Sequence, residues 1–370
     1  MSGIAEIGRP ARTVRGGRDA YLVVRNEAAR LPHLLDHHRA LGVERFFVAD
    51  NGSTDGGPDF LASQPDCHLH RAEGSFAASN CGMDWINAMA ERHGEGNWCL
   101  FIDADELLAY PHAERVPLKD FCAGLDARGE EGVFALLLDM YPRGTVAGAV
   151  YAPGTPFLDA CPHHDPDYRI RRKPRLRPGG TPFLEVEAVG GPRLRRFYPE
   201  LAGAGPYRIA LLRALRGLRR HPAGRALGLG RLPLGTAIPP DLTKVPLMKG
   251  APGRRWLTNH RTTPLRLSGV RAALLHFKFL ADFHARAASE AGRGEHWDGG
   301  NEYARYRACL AVEPGMTLFH DRSETYRSTA RLVELGVMNS AGWLDALARN
   351  AGDAPAHAGG DPPEPVALAG

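Results

Sequence analysis

The stretch Trp98-Cys99-Leu100-Phe101-Ile102-Asp103-Ala104-Asp105-Glu106 constrains the fold more than any other part of this chain. An apolar run of strand length ends without transition in clustered carboxylates. Burying apolar side chains is worth about 25 cal/mol per Å², so Leu100 to Ile102 are expected inside a sheet. The acids then emerge at the strand's carboxyl end, where open α/β sheets bind ligands. Carboxylates held this close repel one another unless a proton or a cation neutralises them. Mg²⁺ or Mn²⁺ suits that role, because such ions take one or two protein carboxylates together with substrate phosphates.

Upstream, apolar strands alternate with helical segments. Ala20 to Val24 reads as a strand and is followed by Arg25-Asn26-Glu27. Leu31, Leu34, Leu35 and Leu41 recur at near-helical spacing around Pro32, until Gly42 stops the helix. Arg45 to Ala49 forms a second strand, ending in the turn formers Asp50-Asn51-Gly52-Ser53-Thr54-Asp55. A helix near 58–63, a strand near 68–71 and a helix over 76–92 lead to Trp98. This rhythm predicts right-handed βαβ units and an α/β fold, with a mostly parallel Rossmann-type sheet flanked by helices. Polar clusters at three strand ends suit a nucleotide crevice. There Asp50 could accept from a base N–H, Asp103 could reach ribose hydroxyls, and Asp105 could ligate a metal bridging two phosphates. Neither a GxxxxGK[ST] loop nor a strand-linked GxGxxG occurs, so an ATPase or dinucleotide enzyme is unsupported.

The second half is less regular. Gly132 to Met140 reads as a buried strand, with further strands around 183–189 and 193–198 and an arginine-faced helix over 209–218. A helix or strand–helix unit is expected over 272–286, and helices over 303–310 and 329–335. Residues 1–18 and 351–370 lack apolar periodicity and read as disordered tails. The composition, 44% hydrophobic and 24% charged, is that of a globular protein. No apolar run reaches the roughly 18 residues of a membrane span, and the start lacks a signal-peptide core. The reading is a cytoplasmic protein. The six cysteines are scattered and are expected as unpaired thiols.

A net charge of +4 makes no case for nucleic acid as a partner. Ten arginines between Arg193 and Arg231, opposed only by Glu200, could instead attract phosphates or an anionic membrane; a solvated insert is the plainer alternative. His33 and His37 share a helix face, but no Glu follows in H-E-x-x-H fashion, so a solvated face is expected. Trp85, Trp256 and Trp343 read as packing residues, and Trp297 as the one to test for acceptor contact.

Val24-Arg25-Asn26-Glu27, His38-Arg39-Ala40-Leu41-Gly42-Val43, Asp50-Asn51-Gly52-Ser53-Thr54-Asp55 and Phe101-Ile102-Asp103-Ala104-Asp105-Glu106 together resemble the GT-A glycosyltransferases of the family 2 type, in a bacterial branch. The strong resemblance covers about residues 20–110. Gly190-Gly191-Pro192-Arg193-Leu194-Arg195, Asn259-His260-Arg261 and Leu275-His276-Phe277-Lys278 look like later segments of the same branch. The resemblance implies a GT-A-like nucleotide-sugar half over 19–150. An irregular acceptor-side half would run over 151–350, with the Arg-rich insert near 193–231. It implies a nucleotide-diphosphate sugar donor, UDP-type, contacted by Asn26, Glu27, Asp50 and Asp103. It also implies Mn²⁺ or Mg²⁺ on Asp103 and Asp105, with a downstream histidine completing the shell. His276 is the candidate and His260 stands behind it; a satisfied core histidine is the alternative for His276. An inverting transferase needs a base for the acceptor hydroxyl. Asp165, Asp167, Glu185 and Glu187 are the candidates, with Asp165 chosen. The acceptor, a saccharide or a lipid-linked one, is not readable. The rivals are a haloacid-dehalogenase-like phosphohydrolase using Asp103 as nucleophile, and a binding module without catalysis.

Overall fold

The computed structural model describes residues 3–8, 10–176, 182–201, 241–293 and 301–352, with scattered positions from 203 to 226. Its strands are β1 (Ile4–Ile7), β2 (Arg18–Val24), β3 (Arg45–Asp50), β4 (Cys67–Ala72), β5 (Trp98–Phe101), β6 (Glu106–Ala109) and β7 (Gly132–Asp139). They continue with β8 (His163–His164), β9 (Tyr168–Leu176), β10 (Pro182–Gly190), β11 (Thr243–Lys249), β12 (Trp256–Thr258), β13 (Arg261–Thr262), β14 (Leu267–His276) and β15 (Glu324–Thr325). The early helices are α1 (Leu31–Leu41), α2 (Gly57–Ser63), α3 (Met83–His93) and α4 (Leu118–Asp126). Nine strands make one sheet in the order β1-β4-β3-β2-β5-β11-β7-β14-β6. Strands β4, β3, β2, β5, β7 and β14 share one direction, and β1, β11 and β6 run against it. The expected α/β, Rossmann-like sheet is therefore present.

Period-two alternation sorts the side chains of the central strands onto two faces. Ala20, Leu22, Val24, Phe46, Val48, Leu100 and Ile102 join Leu31, Leu34 and Leu35 of α1 on one face. Tyr21, Phe47, Ala49, Cys99 and Phe101 pack against Met83, Trp85, Ile86 and Met89 of α3 on the other. Each such side chain, fully buried, contributes about 1.5–3 kcal/mol. Helix α1 ends as its sequence requires. Gly42 takes φ 105°, its amide donates to the carbonyls of His38 and Arg39, and Val43 donates to His38. A third cluster, including Tyr141, Phe197, Phe279, Phe283 and Tyr306, lies in the second half of the chain. It joins the end of β7 to the helices Phe283–Arg293 and Asn301–Val312.

Several expectations need correction. The tail expected over 1–18 contains β1, an edge strand antiparallel to β4. Asn97 and Arg45 then hold the carbonyls of Val14 and Arg12. Four residues are too few for a periodic signal, so β1 is specified by the free edge it covers. The helix expected from 76 begins at Met83, because Asn80, Cys81 and Gly82 all take positive φ. The strand expected at 193–198 is a π-helical turn, Arg193–Phe197. His37 is not on a solvated face: its Nε2 lies 2.9 Å from the Leu108 carbonyl, and burial pushes its pKa down to about 4. Strand β11 was not expected at all. Of the helix expected over 209–218, Leu211, Leu212, Ala214 and Leu215 are helical; its other residues, Trp297, most of the Arg-rich block beyond 201 and the segment 353–370 lie outside the described residues. Among the described residues no helix is long and apolar enough to cross a membrane.

Candidate functional site

The carboxyl ends of β3, β2 and β5 lie side by side, with Asp50 opposite Val24 and Ile102 donating to the Tyr21 carbonyl. The loops after β2 and β3 are stitched together by hydrogen bonds between side chains and backbone. Asn26, at φ 55°, donates its amide to Ser53 Oγ at 2.9 Å and accepts from the Thr54 amide at 2.7 Å. Ala28 donates to Asp55, and Arg25 to the Asn51 carbonyl. The Asp50 carboxylate accepts from the Gly52 and Ser53 amides of its own turn at 3.2 Å. Asn26 and Asp50 thus shape this loop pair.

At the end of β5 the three acids separate into different roles. Glu106 is buried and its carboxylate accepts from the Asp103 amide at 2.9 Å. Lys244 of β11, 1% exposed, reaches Glu106 at 2.6 Å and Asp103 at 2.9 Å. Burial raises the Glu106 pKa to about 7, against the pull of Lys244 and with the push of Asp103. A lysine from an unexpected strand therefore does part of the neutralising that the sequence assigned to a metal. Asp103 stays 42% exposed at its side chain.

Asp105 faces a different group. The parallel pairing of β7 with β14 sets Asp139 beside His276 at the two strand ends. His276 Nδ1 lies 2.7 Å from Asp139 Oδ1, and its Nε2 points toward Asp105 Oδ2 at 3.7 Å. Asp139 also takes the buried guanidinium of Arg193 at 2.7 Å. Around Asp105 stand further cations. Arg286 and Arg30 both pair with Glu27, at 2.9 and 3.0 Å, and Arg30 also grips Asp282 at 2.7 Å. Lys278 lies 3.5 Å from Glu302. Burial alone would raise the Asp105 pKa, yet His276, Arg286, Arg30 and Lys278 outweigh it and hold the carboxyl well below its usual range. Asp139 is lowered in the same way by Arg193 and His276 against its burial.

The donor chemistry fits a divalent cation at Asp105 and His276. Two donor atoms about 2.1 Å from one ion are roughly 3 to 4.2 Å apart, a range that includes the observed 3.7 Å. A histidine whose other nitrogen rests on a carboxylate is the usual arrangement behind a metal ligand. Across the whole group the carboxylates Glu27, Asp103, Asp105, Glu106, Asp139, Asp282 and Glu302 outnumber the cations Arg30, Arg193, Lys244, Lys278 and Arg286 by two. Glu106, raised to about 7, carries only part of its charge at neutral pH, and a cation would offset the remaining excess.

Asp165 lies elsewhere. It is buried, accepts from Tyr141 Oη at 2.5 Å and from Arg195 at 3.1 and 3.2 Å, and sits 3.2 Å from His320 Nε2. Among the described residues no hydrogen bond or ion pair joins it to Asp103, Asp105 or His276. Asp167 pairs with Arg322, and Glu187 with Arg171. Glu185's side chain lies outside the described residues. His260 Nδ1 lies 2.8 Å from the Thr243 carbonyl. Trp85 and Trp256 are core residues, and Trp343 packs on Phe121. Sequence reasoning missed Asp139, Lys244, Lys278 and Arg286. Only Asp139 carried a usable signal, an acid closing an apolar strand as Asp103 does.

No family model matches this chain, and no curated protein matches it. Among solved structures it is similar to a 4-diphosphocytidyl-2C-methyl-D-erythritol synthase at 12% identity and a TM-score of 0.24. That match spans 35% of this chain and 65% of the other. The class that the coordinates themselves define is a Rossmann-like α/β protein with a charged group at the carboxyl ends of its strands.

Proposed function

We propose that this chain is a glycosyltransferase of the GT-A, family 2-like type. It moves a sugar from a nucleotide-diphosphate donor, UDP-type, to a hydroxyl of a saccharide or lipid-linked acceptor, with inversion. The observation that carries the reading is the convergence of Asp105, His276 and Asp139 on one strand-end group encircled by Arg30, Arg286 and Lys278. A diphosphate's oxygens need such arginine and lysine partners, and a donor's metal needs such carboxylate and imidazole atoms. Asp105 and His276 would hold Mn²⁺ or Mg²⁺, with the exposed Asp103 adjoining. When bound, the ion stabilises negative charge on the departing diphosphate as a Lewis acid.

The chain's own groups do the rest. The stitched loops after β2 and β3 present Asp50, Asn26 and Glu27 beside the crevice for the nucleoside. Lys244 holds Asp103 and Glu106 apart from the metal charge, so Asp105 is left to the ion. The apolar cluster around Phe279 and Phe283 keeps one wall dry, which strengthens every charge interaction inside. Asp165, held by Tyr141, Arg195 and His320, is the acceptor's base in this reading. A peripheral contact of the Arg-rich segment with anionic membrane belongs to the same proposal.

Incubation with UDP-sugars and Mn²⁺ tests it. UDP release is expected from the parent, and Asp165→Asn is expected to lose transfer while keeping donor affinity. Phosphate release from a phosphomonoester would move the assignment to the phosphohydrolase. Nucleotide binding with no turnover of any donor would leave a binding module.

A further inference from the structure

A second cluster lies at the edge of the sheet, outside the group just described. Glu6 of β1 is the direct Cα partner of His70 on β4, and His93 closes α3 on the same face. One ligand atom from each of Glu6, His70 and His93 can be chosen so that all lie within 4.8 Å of one another. His70 is 3% exposed, and its Nδ1 sits 3.1 Å from the His68 carbonyl. That contact requires the proton on Nδ1, so Nε2 presents a bare lone pair. The Nε2 atoms of both His70 and His93 are buried without a hydrogen-bond partner. Buried polar atoms are ordinarily satisfied, so two orphaned nitrogens facing one carboxylate point to an absent ligand.

The rings are held in place. His93 stacks on Phe47 with centroids 4.6 Å apart and planes 17° apart, and the His70 and His93 centroids are separated by 6.1 Å. Burial lowers the pKa of both, that of His93 to about 4, so neutral imidazoles are present at ordinary pH. The charged groups facing them are Glu6 and Arg92, whose guanidinium lies 3.5 Å from Glu6 Oε2; Arg45 also bears on His93. Glu6 Oε1 accepts from the Ala11 amide at 2.8 Å.

We propose that Glu6, His70 and His93 form a zinc site, with Nε2 of both histidines and a Glu6 oxygen as protein ligands and water in the fourth position. Two imidazoles and one carboxylate suit Zn²⁺ in tetrahedral coordination, and imidazole disfavours Mg²⁺. The Nδ1–H contact of His70 with a backbone carbonyl is the support a ligating histidine commonly has. A tetrahedral shell spaces its ligand atoms about 3.3 Å apart, so small side-chain rotations close the cluster on the ion. The ion would then clamp the N-terminal strand to β4 and α3.

The test uses chelator-treated full chain and the metal alone. Calorimetric titration with ZnCl₂ is expected to show one equivalent at this cluster, besides any that Asp105 and His276 take. Co²⁺ should give the visible absorption of a four-coordinate site, together with a hyperfine-shifted, exchange-protected His70 Nδ1 proton by NMR. The Zn²⁺ affinity of that equivalent is expected to fall about 100-fold or more in His93→Gln and Glu6→Gln, and the equivalent is expected to remain in Asp105→Asn. Binding by none of these measures in the folded parent overturns the site. So does a stoichiometry that His93→Gln leaves unchanged, or that falls to zero in Asp105→Asn. Should either ligand variant lose its far-UV dichroism, the cobalt spectrum and the shifted His70 proton of the parent decide alone.

Discussion

The two halves of the strand-end crevice are built differently. After β2 and β3 the loops are fixed by hydrogen bonds between loop backbone and the side chains of Arg25, Asn26, Asp50, Ser53 and Asp55, which begin and end within the loops. After β5, β7 and β14 the groups are ionic and buried, and their charges do not cancel. The first half is a preformed shape. The second gathers ionic groups that a cation and its anionic partner could complete, which is why the proposal assigns the chemistry there.

The largest expected effect comes from the ionic side. Asp139→Ala leaves Arg193 buried, with Glu302 at 3.8 Å as its remaining acidic partner. Losing one partner of a buried pair costs about 3–5 kcal/mol, to be read from urea unfolding. A cost under about 1 kcal/mol would mean that this half is solvated like a surface.

Acid sharpens the comparison. The folded His37 pKa is pushed down to about 4 by burial, against 6.5 for the unfolded chain. Unfolded chains then bind the extra proton, so stability is full above 6.5 and declines as pH falls toward 4, by about 3 kcal/mol in all. Asp105 and Asp139, whose pKa values are lowered, add a further loss as pH falls below 3.8. His37→Gln should remove only its own share of the first window, to which the buried His38 and His93 also contribute, and leave the second, as seen in denaturation midpoints across pH.

A smaller change is expected in the hydrogen-bonded half. Asn26→Ala removes one acceptor and places alanine at φ 55°, which together cost about 1–2 kcal/mol. Asn26→Gly should recover the backbone share of that loss. Equal instability of both variants would show that the stitching bond, rather than the left-handed backbone, dominates.

How much of this was legible depends on the range of the interaction. Leu31, Leu34 and Leu35 declare α1, and Trp98 to Ile102 declares β5, because local periodicity reports a face. The strand-end positions of Asp50, Asp103 and Asp105 follow from the same pattern. His276 was named through a resemblance, while its partner Asp139 required the β7–β14 register. Strand β11 was hidden for a physical reason. It carries Lys244 and Pro246, both unfavourable in a central strand, and is accommodated by a register shift between Lys244 and Leu247. Its lysine is needed only because β5 ends in acids, a long-range fact that no window of sequence contains. The edge strand β1 escaped for the opposite reason, being only four residues long.

The most direct test of the ionic half is UDP affinity measured by calorimetry with and without Mn²⁺, for the parent and for Asp105→Asn. Metal-dependent binding in the parent, weakened about 100-fold or more in the variant, is the expected result. Equal affinity in both proteins, or binding indifferent to Mn²⁺, would contradict the assignment of Asp105 and His276 to a metal–diphosphate site.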